Sequence, residues 1–522
     1  MSRWHSLLEY LQFPLKVLFF STVLLGLGNS IINPNIEHLW KIDNEIILLV
    51  SEMLRYTGGF LINLFPLFVF IKVLTKKYED SVPVFIGLAS FIVIMVTVIF
   101  LQNNSYPSYF YHNILGIQIS FSAESIFKEQ IRNPYQMGIV VMVISYFITM
   151  RTYKKSRHYS MHGILSFIDH DSHAMILTII ISFFAGVAIS YLWPFVIQLI
   201  MGMYNTIATD TTDPLHLFLY GISERISAIF GMVDIPRNAF WLGEYGGKLV
   251  DSFGVVYEGD VSIWTAQQSL GISAISAGRF ITPYYIINIF IVPSFLIAYY
   301  SLVTSKVDKR RYRLFFIIAL TLSIVCGNPL PFEIFILILA PLLYFIYLFI
   351  VGILYAVFQI LGISMGYSLE GSLIVANPGA LLDILKYLRD PNFFDTLFYM
   401  VVIGVICFII FLVISRVYFK KFAIGLFSFR DKKRVTKKIV MALGGLENIK
   451  EVHSTPDKIT VNLMKRELID FDVLKEYGAY LILESRNGYL IRLGNISIIV
   501  AEEIKKLLIK KEQEQYKEEK RA

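Results

Sequence analysis

The chain has 522 residues and a formal net charge of +7. With 17% charged residues and a mean hydropathy of +0.61, it carries more apolar surface than a soluble domain can hide. Its two cysteines, Cys326 and Cys407, both fall in apolar segments, which excludes a disulfide scaffold and a cysteine-rich metal site.

Apolar windows in chain order predict membrane helices over residues 15–32, 58–73, 83–101, 137–150, 174–201, 285–303, 335–363 and 397–414. Weaker windows lie at 215–230 and 314–325. The expected fold is a polytopic α-helical membrane protein with about eight to ten transmembrane helices and re-entrant hairpins. The first window has no small-residue cleavage site, so it reads as a retained helix rather than a secretory signal.

Basic clusters follow apolar segments at Lys76-Lys77, at residues 151–158, at 306–313 and at 416–434. The positive-inside tendency places all of them on the cytoplasmic side. Three apolar segments separate Arg313 from Arg416, so one of them is not expected to cross. The segment ending just before Gly327 is the natural half of a re-entrant hairpin. By the same count, 215–230 is the odd segment between Arg157 and Lys306. Every basic run adjoins a membrane segment, so nucleic-acid binding is not expected.

The most pointed feature is the interruption Cys326-Gly327-Asn328-Pro329-Leu330-Pro331 between apolar runs. A helix break exposes backbone polar groups that lipid cannot satisfy, so it persists only where it is buried in protein or lines a cavity. Transporters place their substrate at such breaks, whereas a scaffold has no need of one. Residues 230–280 form a polar, Gly-rich segment too long for an ordinary connection, also expected to be functional. The run Asp169-His170-Asp171-Ser172-His173, with His158 and His162 nearby, fits no zinc spacing and reads as a solvated loop.

Composition changes after Ile414. Residues 416–436 read as a basic juxtamembrane linker and 437–511 as a small α/β domain. In that domain helices are expected at 437–443, 470–477 and 495–510, and strands at 458–463, 480–484 and 489–493. The last two strands are joined by a turn carrying Asn487-Gly488. Residues 512–522 read as a frayed charged tail.

Several segments together resemble the glucose/maltose/N-acetylglucosamine type of permease of the bacterial phosphoenolpyruvate-dependent sugar phosphotransferase system. They are LQFPLKVLFFSTVLLGLGN (11–29), residues 63–69, YGISER (220–225), NAFWLG (238–243), SAGRF (276–280), GNPLPFEIFILILAPLL (327–343), residues 362–373 and ALGGLENI (442–449). The resemblance covers nearly the whole chain. It implies a IIC membrane domain over 1–415 followed by a cytoplasmic IIB domain, in the bacterial inner membrane. It further implies a sugar substrate, soluble IIA and phosphocarrier partners, lipid contact and a homodimer, with no cofactor and no metal. In that family a IIB cysteine thiolate carries the phosphoryl group to a sugar held in IIC, a role suited to a nucleophile that also leaves well.

The chain departs from the family at the positions that carry this chemistry. Thr455 occupies the phosphocysteine position and Lys458 that of the first following arginine. A threonine hydroxyl cannot replace a thiol near pH 7 without strong activation; His453 is the one other phosphoryl acceptor nearby. At the second hairpin the family's Thr-Glu-Pro-Ile-Glu-Phe is Gly327-Asn328-Pro329-Leu330-Pro331-Phe332, which removes both carboxylates. Asn328 can still hydrogen-bond a sugar, and Glu333 lies two positions beyond the second missing glutamate. The family's Gly-Leu-His-His is Gly231-Met232-Val233-Asp234, which leaves Asp234 as a polar contact. Glu224, Arg225 and Arg279 match family positions. The expected function is therefore sugar transport by a IIC-IIB permease whose own phosphoryl transfer is compromised. The alternative is a degenerate carrier or membrane sugar sensor that works without it.

Overall fold

The computed structural model describes residues 2–33, 44–78, 81–102, 105–122, 129–156, 169–270, 277–301, 306–366, 379–388, 390–422, 432–454, 458–477, 479, 481–485, 488–493 and 497–519. The chain divides into two compact units. One is helical and comprises Ser6–Tyr300 and Tyr312–Lys421; the other is built on Phe422–Ala522, with Met1–His5 and Ser301–Arg311.

Six helical stretches among the described residues are long and apolar enough to cross a membrane: Phe13–Ile32, Val82–Leu101, His170–Thr209, Thr282–Ser301, Pro341–Ile360 and Pro391–Phe419. A bent pair of helices raises the number to seven. This is fewer than the windows suggested, for physical reasons. The expected span at 58–73 is broken: α2 (Glu45–Asn63) and α3 (Phe65–Tyr78) meet at 50°. The window at 335–363 is divided at Ala340. The windows at 137–150, 215–230 and 314–325 are helical but short or charged; the first ends in Arg151, Lys154 and Lys155.

The first helices pack through small and hydroxylated residues. α1 (Ser2–Ile32) meets α2 at two glycines. A Cβ on Gly28 would lie 2.5 Å from the Ser51 carbonyl oxygen, and one on Gly58 would lie 2.4 Å from the Leu25 nitrogen. Close approach of this kind is how apolar helices gain dispersion contacts where lipid removes the hydrophobic drive. Helices α4 (Val82–Leu101), α5 (Ile139–Ser156) and α6 (His170–Thr209) form the next layer, with the hairpin β1 (Ile119–Ser122) and β2 (Glu129–Arg132) between α4 and α5. Buried hydroxyls join them: Ser90 to Ser182 at 2.7 Å and Thr152 to Thr178 at 2.5 Å. At 40 residues, α6 is about 60 Å long at 1.5 Å per residue. Its first half lies along α4 and α5, and Tyr204 in its last turns packs against Phe240.

The second half of this unit is built from shorter helices. α7 (Pro214–Ile229) is followed by α8 (Asp234–Arg237), a π-helical turn at Asn238–Leu242, the hairpin β3 (Lys248–Val250) and β4 (Val256–Glu258), and α9 (Asp260–Ser269). The long polar segment is thus folded rather than a plain loop. Next come α10 (Thr282–Ile286), a second π turn at Ile287–Ile291, α11 (Val292–Ser301), α12 (Lys306–Cys326), α13 (Leu330–Leu339) and α14 (Pro341–Ile360). α7 lies along α14, where Gly221 admits Tyr355 and Gly352 admits Phe218. α15 (Leu381–Tyr387) and α16 (Phe394–Phe422) complete the unit. Because α16 runs to Phe422, part of the expected linker is helix.

The expected helix break is present between α12 and α13. Gly327 takes a φ of 64°, open to glycine at little cost. Asn288 satisfies the freed backbone: its Nδ2 donates to the Gly327 carbonyl at 3.1 Å and to the Gly379 carbonyl at 3.2 Å. Ser323 Oγ donates to the Asn288 carbonyl at 2.7 Å.

In the C-terminal unit, α17 (Lys432–Ala442) precedes β5 (Ile449–Ser454) and β6 (Lys458–Leu463). α18 (Phe471–Glu476), β7 (Leu481–Ser485), β8 (Gly488–Arg492) and α19 (Ser497–Glu519) follow. The strands form one antiparallel sheet in the order β5-β6-β8-β7. Ile459, Val461 and Ile491 face Leu443, Leu474, Val500 and Ile504 in the core. β5 was not expected, and α19 runs through most of the segment expected to fray.

Replacing Asn288 with Ala leaves two buried carbonyls without this donor, so a loss of about 1–3 kcal/mol per acceptor is expected. Gly58→Ala forces α1 and α2 apart and is expected to cost about 1–3 kcal/mol. Thermal unfolding of the purified protein in detergent checks both; unchanged melting temperatures would refute the packing described.

Candidate functional site

The site begins with two adjacent charges on an otherwise apolar helix. Glu224 and Arg225 of α7 are 0% and 1% exposed. A charge at such a position needs a partner, because an unpaired buried charge costs several kcal/mol. Arg225 is held from two sides. Its Nε donates to Glu224 Oε2 at 2.6 Å, and its Nη1 donates to Glu333 Oε1 at 3.0 Å. Glu333 stands in the first turn of α13, immediately after the helix break, and is 0% exposed. Tyr347 of α14 donates its hydroxyl to the same Glu333 oxygen.

Two further elements close around the pair. Tyr284 of α10 donates to Glu224 Oε1 and accepts from Arg225 Nη2, while the Arg225 guanidinium lies 4.4 Å from the Tyr284 ring centroid. Arg237 of α8 donates Nη2 to the Tyr284 hydroxyl at 3.0 Å and approaches Glu224 at 3.4 Å. The Arg237 guanidinium also lies 4.7 Å from the Trp241 ring, a cation–π contact. Trp241 itself donates Nε1 to the Tyr220 hydroxyl at 3.0 Å. The carboxylates of Glu224 and Glu333 thus balance the guanidiniums of Arg225 and Arg237. Helices α7, α8, α10, α13 and α14 meet here, with both π turns beside them. Short π segments frequently mark functional positions.

The structure brings together some of the expected site residues and separates others. Glu224, Arg225 and Glu333 form one network. Asn328 sits at the break leading into α13 and is 7% exposed, but its Oδ1 accepts from Leu330 N, the first amide of that helix, at 3.2 Å. Asp234 opens α8, three residues before Arg237; its carbonyl accepts from Asn238 Nδ2 at 2.8 Å. Arg279 is elsewhere: its Nη1 donates to the Thr211 carbonyl at 2.7 Å and ties the α6–α7 turn. Arg237, Tyr284, Tyr347 and Asn288 were missed. Arg237 was the findable one, being the one cation in the sequence between Arg225 and Lys248.

The residues expected near phosphoryl transfer look different from the expectation. Thr455 lies outside the described residues. His453 is not in a loop but on β5, exposed, with Nε2 2.8 Å from Glu451 Oε1. The acidic and histidine run at 169–173 is likewise no loop. Asp169 caps α6 by accepting from Ser172 N at 2.7 Å, and the Ser172 side chain and amide hold its carboxyl below the usual range. His158 and His162 lie outside the described residues. No group of three potential metal ligands gathers among the described residues.

No protein-family model matches the chain.

Arg225→Met leaves buried Glu333 without its counter-ion and Glu224 with Arg237 alone, and is expected to cost about 3–5 kcal/mol. Combining it with Glu333→Gln should cost less than the sum of the single changes, with a coupling of about 0.5–3 kcal/mol. A double-mutant cycle of thermal unfolding measures this; strict additivity would mean the two side chains do not interact.

Proposed function

We propose that the chain is a membrane carrier for a sugar or a similarly hydroxylated solute. Its architecture is that of a phosphotransferase permease, and it works without phosphoryl transfer of its own. One observation carries this reading: a buried, charge-balanced network of Glu224, Arg225, Arg237 and Glu333 gathered at a broken helix. Ionisable groups inside membrane segments are costly, and they mark solute and ion pathways. Discontinuous helices place such groups where substrate is handled. Carboxylates, guanidiniums and tyrosine hydroxyls beside aromatic faces suit a polyhydroxylated ligand. The order of segments that resembles the sugar permeases names the solute class.

The C-terminal unit favours the non-phosphorylating form. The sequence has no cysteine after Cys407, and His453 is an exposed strand residue paired with Glu451. A cytoplasmic C-terminal unit, a location in the bacterial inner membrane, a homodimer and soluble IIA partners belong to the same proposal and rest on the resemblance.

Vesicles holding the protein and the soluble carrier proteins would be given labelled phosphoenolpyruvate with glucose, maltose or N-acetylglucosamine. The expected result is no labelled sugar phosphate, together with exchange of at least one free sugar across the membrane. Arg225→Met should slow that exchange by about tenfold or more, equivalent to about 1.4 kcal/mol of lost binding or barrier stabilisation. Labelled sugar phosphate would overturn the non-phosphorylating form, and exchange of no sugar would overturn the carrier.

A further inference from the structure

We infer that Glu333 is a proton-binding site, and that its protonation releases the tie between α7 and α13. The inference concerns the same network as the proposed carrier and assigns it a coupling ion. Glu333 Oε1 is fully used, accepting from Arg225 Nη1 at 3.0 Å and from the Tyr347 hydroxyl. Its Oε2 is buried and has no hydrogen-bond partner among the described residues. A carboxylate oxygen left bare in a dry interior is costly, and a proton is the smallest ligand that removes the charge.

The surroundings allow this step. Glu333 is faced by Arg225 from α7 and by Tyr344 and Tyr347 from α14; Glu224 of α7, Tyr284 of α10 and Arg237 of α8 lie beyond Arg225 in the same network. A hydronium ion from solvent delivers the proton: its O–H bond breaks as one forms at Oε2, and a water molecule is left. The network then carries one excess positive charge. Arg225 keeps Glu224 as its counter-ion through the 2.6 Å Nε contact. The surplus falls on Arg237, whose side chain is 12% exposed and so the most readily hydrated of the four charges. The Arg225–Glu333 pair is an ionic link between α7 and the short helix after the break, so neutralising Glu333 weakens the tie between those two helices. A carrier without phosphoryl transfer gains from this a means of driving uptake.

The test uses the full-length protein in lipid vesicles and two readouts. Infrared difference spectra between alkaline and mildly acid buffer report the carbonyl stretch of a buried protonated carboxyl. Sugar uptake is measured with and without an inward proton gradient, using glucose, maltose and N-acetylglucosamine. The wild type should show the band and up to about tenfold faster uptake per pH unit until the site saturates. Glu333→Gln should lose the band and the response to the gradient. Glu333→Asp, which retains an acid, should show the band at a shifted pH and guards against a Gln variant that fails to fold. Absence of the band in the wild type, or its persistence in folded Glu333→Gln, would overturn the inference. Sugar exchange that ignores the gradient would overturn the coupling. A band that depends on Glu333, with no sugar moved, would support the proton site and remove the sugar reading instead.

Discussion

The buried guanidinium of Arg225 is the constraint on which this half of the molecule depends. A permanent cation inside an apolar bundle is tolerable only when carboxylates and hydroxyls surround it in good geometry. Glu224 comes from the same helix, but Glu333 and Tyr284 must be brought from elsewhere. The interruption at Gly327 lets a short helix begin beside α7 with Glu333 in its first turn. Asn288 in turn makes the interruption tolerable by donating to the freed Gly327 carbonyl. Break, clamp and ion pair are therefore one arrangement, and changing any of them exposes the others.

Much of this was legible in the amino-acid sequence, and the failures have physical causes. Apolar windows located most helices, and the Gly-Asn-Pro-Leu-Pro interruption located the break. The divided windows were harder. Both divisions are followed by a proline at the start of the next helix, Pro66 in α3 and Pro341 in α14. Proline removes a donor and clashes with the preceding turn. Yet Pro14 and Pro194 lie inside continuous helices, so proline alone could not decide. Tyr284 and Asn288 escaped notice because a hydroxyl or amide in an apolar run has no period, and only the tertiary fold shows what it meets. Arg279 matched a permease segment yet braces a turn, because local similarity does not fix which elements a side chain reaches.

The C-terminal unit teaches the same lesson on a smaller scale. Alternation identified β6, whose buried residues recur every second position, whereas β8, which buries Gly488 and Ile491, was located by the Asn-Gly turn before it. β5 was missed because its register shifts between Ile449 and Glu451. That bulge leaves two exposed residues between Ile449 and Val452 and breaks the period-two signal. The consequence reaches function, since His453 becomes a strand residue instead of a loop nucleophile.

The central claim is that a hydroxylated solute reaches the charged network around Arg225. Trp241 reports on it directly, because it is buried and Arg237 stacks against its ring. Intrinsic fluorescence of the purified protein should change saturably on titration with at least one of glucose, maltose or N-acetylglucosamine. That change should vanish in Trp241→Phe and weaken in Arg225→Met. Fluorescence that is unchanged for every sugar, in a protein whose melting transition shows it folded, would contradict the account.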